Sequence, residues 1–280
     1  MPLGANSYGK SGIRLVRIAR REGRNDVQDL TVAVRFEGDF AAAHVAGDNA
    51  DVLPTDTMKN TVYALAKDRG AEEIEDFALA LSDHFLGSNA PASRVDVAIE
   101  ERLWDRLGWT AFEGSSNERR TARVSGSRRG STVESGLKDL LILKSAQSGF
   151  SGFKRDAYTT LKETTDRILA TSLTARWTHS SPAGPFAGSW GAVRQTLLDA
   201  FAAHDSASVQ HTLYAMGEAA LAGHPGLSEI RLTMPNKHHL LVDLSPFGRQ
   251  NENEVFVATE EPYGLIEATV VRDGSKSQSR

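Results

Sequence analysis

Apolar and polar residues alternate along much of the chain, and the most extended alternation covers residues 229–244. Ile230, Leu232 and Met234 are separated by polar residues, and a similar alternation returns after an interruption. This period of two predicts a half-buried β-strand. Proline has no N–H group to donate to a neighbouring strand, so we expect a bulge or break at Pro235.

The residues after this proline carry the first candidate chemistry. Asn236 and His238 stand two positions apart, so an extended backbone would project their amide and imidazole from one face. A hydrogen-bonded polar kink is the alternative interpretation. A metal ion would have to use His238 and His239, whose side chains point to opposite faces of a strand. The pattern therefore argues against a metal site here.

The first half of the chain predicts two strands, two helices and two further strands. Residues 13–21 and 26–36 form the predicted hairpin. A helical stripe follows, for which Asp56 is the expected N-cap. A second helix is expected to begin with the acidic residues from Glu72 and to end at Gly87. Strands are predicted at residues 93–107 and 119–133.

The same order is repeated in the second half. Strands are predicted at residues 137–144 and 167–178, and two helices follow, the second capped by Ser206 or Ser208. Residues 229–244 and 254–272 complete the unit, and the polar end from Asp273 is expected to fray. The duplication predicts an α+β fold with domains at residues 1–136 and 137–280, each an antiparallel four-stranded sheet with two helices on one face. Open sheet edges favour assembly between subunits.

Composition narrows the possible functions. The 280 residues have a net charge of -4 and 40% hydrophobic residues, which is typical of a soluble protein and indicates neither a nucleic-acid nor a membrane partner. The absence of cysteine excludes disulfides, thiolate metal sites and thiol nucleophiles. No apolar run approaches a membrane span and no signal peptide is visible, so we expect a cytoplasmic protein. Glycine-rich phosphate loops and a GxSxG elbow are also missing.

Seven segments carry a family resemblance. They include Tyr8, Gly9 and Lys10 near the start, and the full set is residues 8–10, 55–57, 59–63, 158–169, 206–210, 235–238 and 263–267. In this order they resemble the uricase family of cofactor-free urate oxidases. The resemblance implies two tandem tunnelling-fold (T-fold) domains and a homotetramer whose sheets close into barrels around a central tunnel.

The resemblance also implies a urate-binding set. Arg167 would grip the urate anion with its planar guanidinium, and Gln210 would hold the opposite edge with its amide donor and acceptor. The backbone of Val209 would add a contact, and Phe150 would stack on the purine face. Taken singly, Arg167 also fits a charge on the surface of a strand, Gln210 a solvent-exposed residue at a helix start, and Phe150 an ordinary core aromatic.

A second set is implied to come from a neighbouring subunit. Thr55 and Asp56 would reach the same ligand from a helix start, a role compatible with Asp56 as an N-cap. Lys10 would act as the catalytic base in a proton relay with the Thr55 hydroxyl and His238. A lysine that accepts protons near neutral pH needs a lowered pKa, which desolvation or a nearby cation supplies.

Asn236 would hold water or dioxygen above the ring, and Ile266 would line the cavity. The implied reaction converts urate, dioxygen and water into 5-hydroxyisourate and hydrogen peroxide, without metal or flavin. Two alternatives remain open at this point: a T-fold enzyme acting on pterins, and a purine-binding assembly without catalysis. The presence of Lys10, Thr55 and His238 argues against the latter.

Overall fold

The computed structural model describes residues 1–69, 73–114 and 116–273. The chain forms two compact units. The first contains Met1–Gly136 and Arg176–Trp190, and the second contains Leu137–Ala175 and the chain from Gly191 onward. Helices and long antiparallel strands are present in both, so the predicted α+β class is confirmed.

The first unit is built on four long strands. Its elements are β1 (Ser7–Arg21), β2 (Arg24–Gly38), α1 (Ala41–Ala46), α2 (Thr55–Arg69), α3 (Ile74–Ser88), β3 (Ala92–Arg102), β4 (Asp105–Arg106), β5 (Phe112–Glu113) and β6 (Arg119–Ser127). The long strands pair antiparallel in the order β1, β2, β3, β6. Helix α2 packs on β1, and α3 packs on β3 and β6. The apolar face of each strand is thereby buried beneath the helices.

A β-bulge interrupts β1 directly after Lys10. Lys10 pairs with Val34 and Ile13 with Val32, so Ser11 and Gly12 together stand opposite one residue of β2. Gly12 has φ of +69°, in the left-handed region that glycine adopts without a steric penalty. The bulge therefore sets the side-chain directions of the start of β1 separately from those of the rest of the strand.

The second unit places a helix against a strand pair. β7 (Gly130–Lys144) and β8 (Leu169–His179) lie partly in each unit, as does α4 (Phe186–Ala203); α5 (Val209–Gly223), β9 (Leu227–Lys237), β10 (His239–Leu241), β11 (Phe256–Ala258) and β12 (Gly264–Val271) follow. β9 and β12 are antiparallel, and α5 packs on both. A short pair, β10 with β11, lies beyond the end of β9.

The structure corrects the predicted break in the long strand. Pro235 lies inside β9, in register with Leu265 of β12, and the break falls at His238 instead. An antiparallel strand directs only alternate N–H groups toward a given neighbour, so a proline can occupy a position whose nitrogen faces away. Since His238 lies between two strands, strand alternation does not define its face.

Three further boundaries differ from the prediction. Asp56 is not the N-cap of α2, because the helix begins at Thr55 and the carbonyl of Pro54 accepts a hydrogen bond from the N–H of Met58. The strand predicted at residues 119–133 ends at Ser127, and Val133 belongs to β7. Helix α3 begins at Ile74, and Glu72, its predicted start, lies outside the described residues, as does the polar end from residue 274.

Candidate functional site

An aromatic ring and a guanidinium meet in the second unit. The Cζ atom of Arg167 lies 5.2 Å from the ring centroid of Phe150, within the range of a cation–π contact. A pair of backbone hydrogen bonds joins Phe150 to Thr164, with N···O distances of 2.7 and 3.0 Å. Because Thr164 is only three residues before Arg167, this bridge brings the two side chains together.

The stack continues beyond Phe150. Phe153 lies parallel to Phe150, with ring centroids 4.9 Å apart and an interplanar angle of 13°. Arg155 lies over Phe153, its Cζ 5.1 Å from the centroid. Between the rings, Gly152 has φ of +68°, which turns the chain back on itself. Phe153 thus supports one side of Phe150 and restricts its rotation.

The environment of Arg167 suits an anionic ligand. The side chain is half-buried, and its Nε atom is buried without a hydrogen-bond partner among the described residues. Burial lowers the pKa of the guanidinium, although arginine remains charged at physiological pH. A desolvated cation with an unused donor is costly unless a partner binds. A planar anion with adjacent acceptors would supply that partner.

The start of α5 lies close to this pair. Ser208 is the N-cap, and its hydroxyl accepts a hydrogen bond from the N–H of His211. Ser206 is joined by backbone hydrogen bonds to Gln147 and to Gly149, the residue before Phe150. The aromatic loop and the start of the helix are therefore bound to each other.

Two predicted substrate residues occupy the first turn of α5. Val209 is buried, with 3% of its surface exposed, whereas the side chain of Gln210 is exposed. An exposed amide at a helix start can donate to and accept from a ligand edge. The free backbone N–H groups of a first helical turn also favour an anion.

Asn236 and Ile266 are neighbours on paired strands. Asn236 of β9 stands opposite Gly264 of β12. A Cβ atom placed on Gly264 would lie 3.6 Å from Cδ1 of Ile266 and 3.8 Å from Cβ of Asn236. His238 is half-buried two residues beyond Asn236, and its carbonyl accepts a hydrogen bond from the N–H of Thr259. The structure thus brings Asn236 and Ile266 together.

Lys10, Thr55 and Asp56 are grouped in the first unit. The hydroxyl of Tyr8 accepts a hydrogen bond from the N–H of Leu53 at 3.0 Å, which holds the segment before α2 against β1. The side chain of Asp56 binds Lys59 at 2.5 Å, and this hydrogen bond lowers the pKa of its carboxyl, with a smaller contribution from Lys10. Helix α2 packs on β1, the strand that carries Lys10.

Sequence reasoning missed Phe153 and Tyr8 as supports of the site. Phe153 stands three residues after Phe150 across a glycine, a spacing that can return one ring to another, but the stacking depends on the left-handed turn at Gly152. Tyr8 lies within one of the resembling segments, but its supporting role depends on the distant Leu53. Both contacts follow from loop geometry and not from periodicity.

The described residues contain no cluster of three or more histidine, cysteine, aspartate or glutamate side chains that could hold a metal ion. Among the helices that the structure describes, none has the length and apolar character needed to cross a bilayer.

A family model described as Uricase matches residues 6–130 and 133–267 of the chain. The uricase of Arthrobacter globiformis is 48% identical over 279 residues, which cover 98% of this chain and 91% of that protein. The uricase of Dictyostelium discoideum is 36% identical over 282 residues, covering 97% and 98%.

Solved structures show the same similarity. The crystal structure of the Arthrobacter globiformis uricase superposes with a TM-score of 0.97 at 47% identity, covering 100% of this chain and 98% of that one. A urate oxidase from Bacillus sp. TB-90 gives 0.82 at 23% identity, covering 95% and 100%, which supports the fold alone.

Proposed function

The chain belongs to the uricase family, and we propose that it is an oxidoreductase that converts urate, dioxygen and water into 5-hydroxyisourate and hydrogen peroxide. The desolvated guanidinium of Arg167 beside Phe150 is the observation that carries the proposal. It offers a purine anion a charged edge contact and an aromatic surface in one place.

The substrate set comes from the second unit. Arg167 and Gln210 hold opposite edges of urate, the N–H of Val209 adds a backbone contact, and Phe150 stacks on the purine face. The hydrogen bonds of Gln147 and Gly149, just before Phe150, to Ser206, just before α5, support this assignment. A ligand held flat in this way loses little further freedom on reaction.

Asn236 holds water or dioxygen above the ring, and Ile266 lines the cavity beside it. Their adjacency across β9 and β12 supports this pairing of a polar and an apolar contact. An amide can donate to either oxygen species, while an apolar neighbour keeps bulk water away. Dioxygen would thereby remain close to the bound purine.

Lys10, Thr55 and His238 form the proton relay, and Thr55 and Asp56 reach the ligand from a neighbouring copy of the chain. The active sites then lie at subunit interfaces of a homotetramer. Each subunit is built from T-fold domains at residues 1–136 and 137–280, and the protein acts in the cytoplasm. Lys10 lies on β1, and α2, which begins with Thr55 and Asp56, packs on that strand, which supports this assignment.

The chemistry needs no metal or flavin. Removal of a proton makes the purine electron-rich enough to give two electrons to dioxygen, which leaves as hydrogen peroxide, and water supplies the new hydroxyl group. The protein holds the anion, accepts the proton and positions dioxygen. The balanced reaction is urate plus dioxygen plus water giving 5-hydroxyisourate plus hydrogen peroxide.

The test is oxygen uptake together with loss of the ultraviolet absorption of urate, measured in the presence of a chelator. The unmodified protein is expected to consume both substrates. Lys10→Ala is expected to lower turnover by about 100-fold while a purine inhibitor still binds, because a general base is lost and the binding set is intact. Lys67→Ala removes the same charge from an exposed position of α2 and serves as the control.

Turnover of urate by Lys10→Ala at the parent rate would contradict the relay. Absence of urate consumption by the parent protein would contradict the proposed function and would favour a purine-binding assembly. Activity that disappears with the chelator would favour the metal-dependent chemistry of pterin-type T-fold enzymes.

A further inference from the structure

A closed set of hydrogen bonds surrounds the side chain of Ser206. Its Oγ lies 2.7 Å from Oγ of Thr212 and 3.1 Å from the carbonyl oxygen of Ser208. A carbonyl can only accept, so the Ser206 hydroxyl donates to Ser208 and accepts from the Thr212 hydroxyl. The N–H of Thr212 donates to the same carbonyl at 3.1 Å. We refer to Ser206, Ser208 and Thr212 with these bonds as the Ser206 network.

The two hydroxyl groups of the network are shielded from water. Ser206 has 2% of its surface exposed, and Thr212 has none. When one partner is removed in such a place, solvent does not replace it, and the group left behind is unpaired at a cost in free energy. The Ser206 network therefore holds Ser206 against the first turn of α5.

The backbone of Ser206 holds the aromatic loop at the same time. Its N–H donates to the carbonyl of Gln147 at 3.0 Å, and its carbonyl accepts from the N–H of Gly149 at 2.7 Å. A Cβ atom placed on Gly149 would lie 3.2 Å from the carbonyl oxygen of Thr164, so this loop packs closely on the segment that leads to Arg167. The nitrogen, the carbonyl oxygen and Oγ of Ser206 are thus all hydrogen-bonded.

Ser206 thereby joins the two halves of the proposed substrate set. Its side chain is bonded to the turn that carries Val209 and Gln210, and its backbone is bonded to the loop that leads into Phe150. Phe150 in turn contacts Arg167. A shift between these two segments would change the spacing of the groups proposed to hold opposite edges of the purine, and a flat ligand of fixed width needs a fixed spacing.

We propose that Ser206 is a positioning residue whose hydroxyl, held by Thr212, fixes the spacing between the aromatic loop and the start of α5, so that its loss weakens urate binding and leaves the chemical step intact. This inference rests on the proposed function, because it assigns groups of both segments to the substrate. Ser206 acts through those groups and does not itself contact urate.

The test measures two quantities for each variant. Calorimetric titration with urate in the absence of dioxygen gives Kd without turnover, and oxygen uptake at saturating urate gives kcat. Ser206→Ala is expected to raise Kd about tenfold, the factor for the loss of a buried hydrogen bond that leaves its partner unpaired. The kcat should stay close to that of the parent, because the proposed relay residues lie on other elements. A purely structural defect would instead lower kcat through the fraction of active protein and leave Kd unchanged.

Ser148→Ala is the matched control for this substitution. Ser148 is the partner of Ser206 in an isolated parallel β-bridge and has 1% of its surface exposed. Its Oγ has no hydrogen-bond partner among the described residues. The control therefore removes an equally buried hydroxyl from the same bridge, and it should keep the Kd and the kcat of the parent.

Thr212→Val tests the second hydroxyl with little change of shape. It should raise Kd severalfold, less than Ser206→Ala, because Ser206 can still donate to the carbonyl of Ser208. Thr212→Ser should restore the Kd of the parent. Thr171→Val is its control, because Thr171 of β8 is equally buried and its hydroxyl has no partner in the described part of the chain.

The double variant shows whether the two hydroxyls act as one unit. Ser206→Ala combined with Thr212→Val leaves neither hydroxyl unpaired, so its Kd should not exceed that of Ser206→Ala alone. Additive increases would overturn the inference that Thr212 acts through Ser206.

A Kd for Ser206→Ala equal to that of the parent, or equal increases for Ser206→Ala and Ser148→Ala, would overturn the inference. A lowered kcat at unchanged Kd would overturn it as well. If the parent binds urate without consuming it, the proposed reaction fails, and the Kd values still decide the role of Ser206. If the parent binds no urate, the substrate assignment fails and the inference fails with it.

Discussion

Replacing Glu101 by glutamine is expected to raise the free energy of unfolding in alkaline solution and to leave it nearly unchanged in acid. Glu101 lies at the end of β3, in register with Arg120 of β6. The guanidinium of Arg120 binds Glu75 at 2.5 Å and Glu73 at 2.9 Å. Three carboxyl groups therefore share one arginine, and full ionisation leaves net negative charge in a poorly solvated region.

Burial is the main reason that the pKa of Glu101 rises to about 7 from an ordinary value of 4.5. Arg120 opposes the rise, and Glu75 and Glu73 add to it. At about 1.4 kcal/mol for each pKa unit, the difference corresponds to about 3 kcal/mol. Glu101 retains some solvent contact, which screens these charges, so we expect an effect of about 2 kcal/mol.

The sign follows from proton binding. Below pH 4.5 the carboxyl is protonated in both the folded and the unfolded chain, so its contribution to stability is fully present. Between 4.5 and about 7 only the folded chain keeps the proton, and this contribution declines until it is lost above about 7. Glutamine has no proton to lose, so the difference between variant and parent should grow with pH across this range.

The assay is denaturant or thermal unfolding of both proteins across this pH range at one protein concentration, because subunit association also contributes to apparent stability. Glu100→Gln removes the same charge from the preceding residue, whose side chain points to the opposite face of β3. It should not reproduce the pH trend. A stability difference between Glu101→Gln and the parent that stays constant with pH would refute the reasoning.

Two further predictions concern the substrate set. Arg167→Ala should raise KM for urate by about 10- to 100-fold, the equivalent of one charged hydrogen bond. The control Arg155→Ala, at the far end of the aromatic stack, should change KM little, and equal KM values for the two variants in steady-state kinetics would contradict the prediction. Phe153→Leu should weaken purine-inhibitor binding severalfold, because Phe150 loses its stacking partner, whereas Phe153→Tyr should bind the inhibitor as the parent does. Calorimetric titration would contradict this if the Phe153→Leu protein bound the inhibitor as tightly as the parent.

The regular elements were predictable because their pattern is local. Alternation along residues 26–36 and 229–244 reflects one buried face; β2 spans all of the first range, and β9 covers the second only as far as Lys237. The ends of the helices and strands were harder to predict from the sequence, because tertiary contacts decide them. Pro235 remains in β9, in register with Leu265, and Asp56 lies one residue inside its helix.

The residues of the candidate site could be predicted from the family resemblance but not from the periodicity of apolar and polar positions. Phe150 and Arg167 are seventeen positions apart, and the backbone bridge at Thr164 brings them together. No periodicity encodes such a bridge. The sequence left Ser206 and Ser208 as alternative caps of α5, and the structure assigns Ser208, while Ser206 joins the turn to its neighbouring loop.

The bulge after Lys10 has a consequence for engineering the N-terminus. Side chains of a strand alternate between faces, so the extra residue at Ser11 and Gly12 inverts the parity of everything before it. Because directly paired residues share a face, Lys10 opposite Val34 and Ile13 opposite Val32 lie on one side of the sheet although they are three positions apart. Deleting either Ser11 or Gly12 would restore regular pairing and leave Lys10 opposite Val34 on that side, so a one-residue deletion confined to the bulge should keep the direction of the Lys10 side chain.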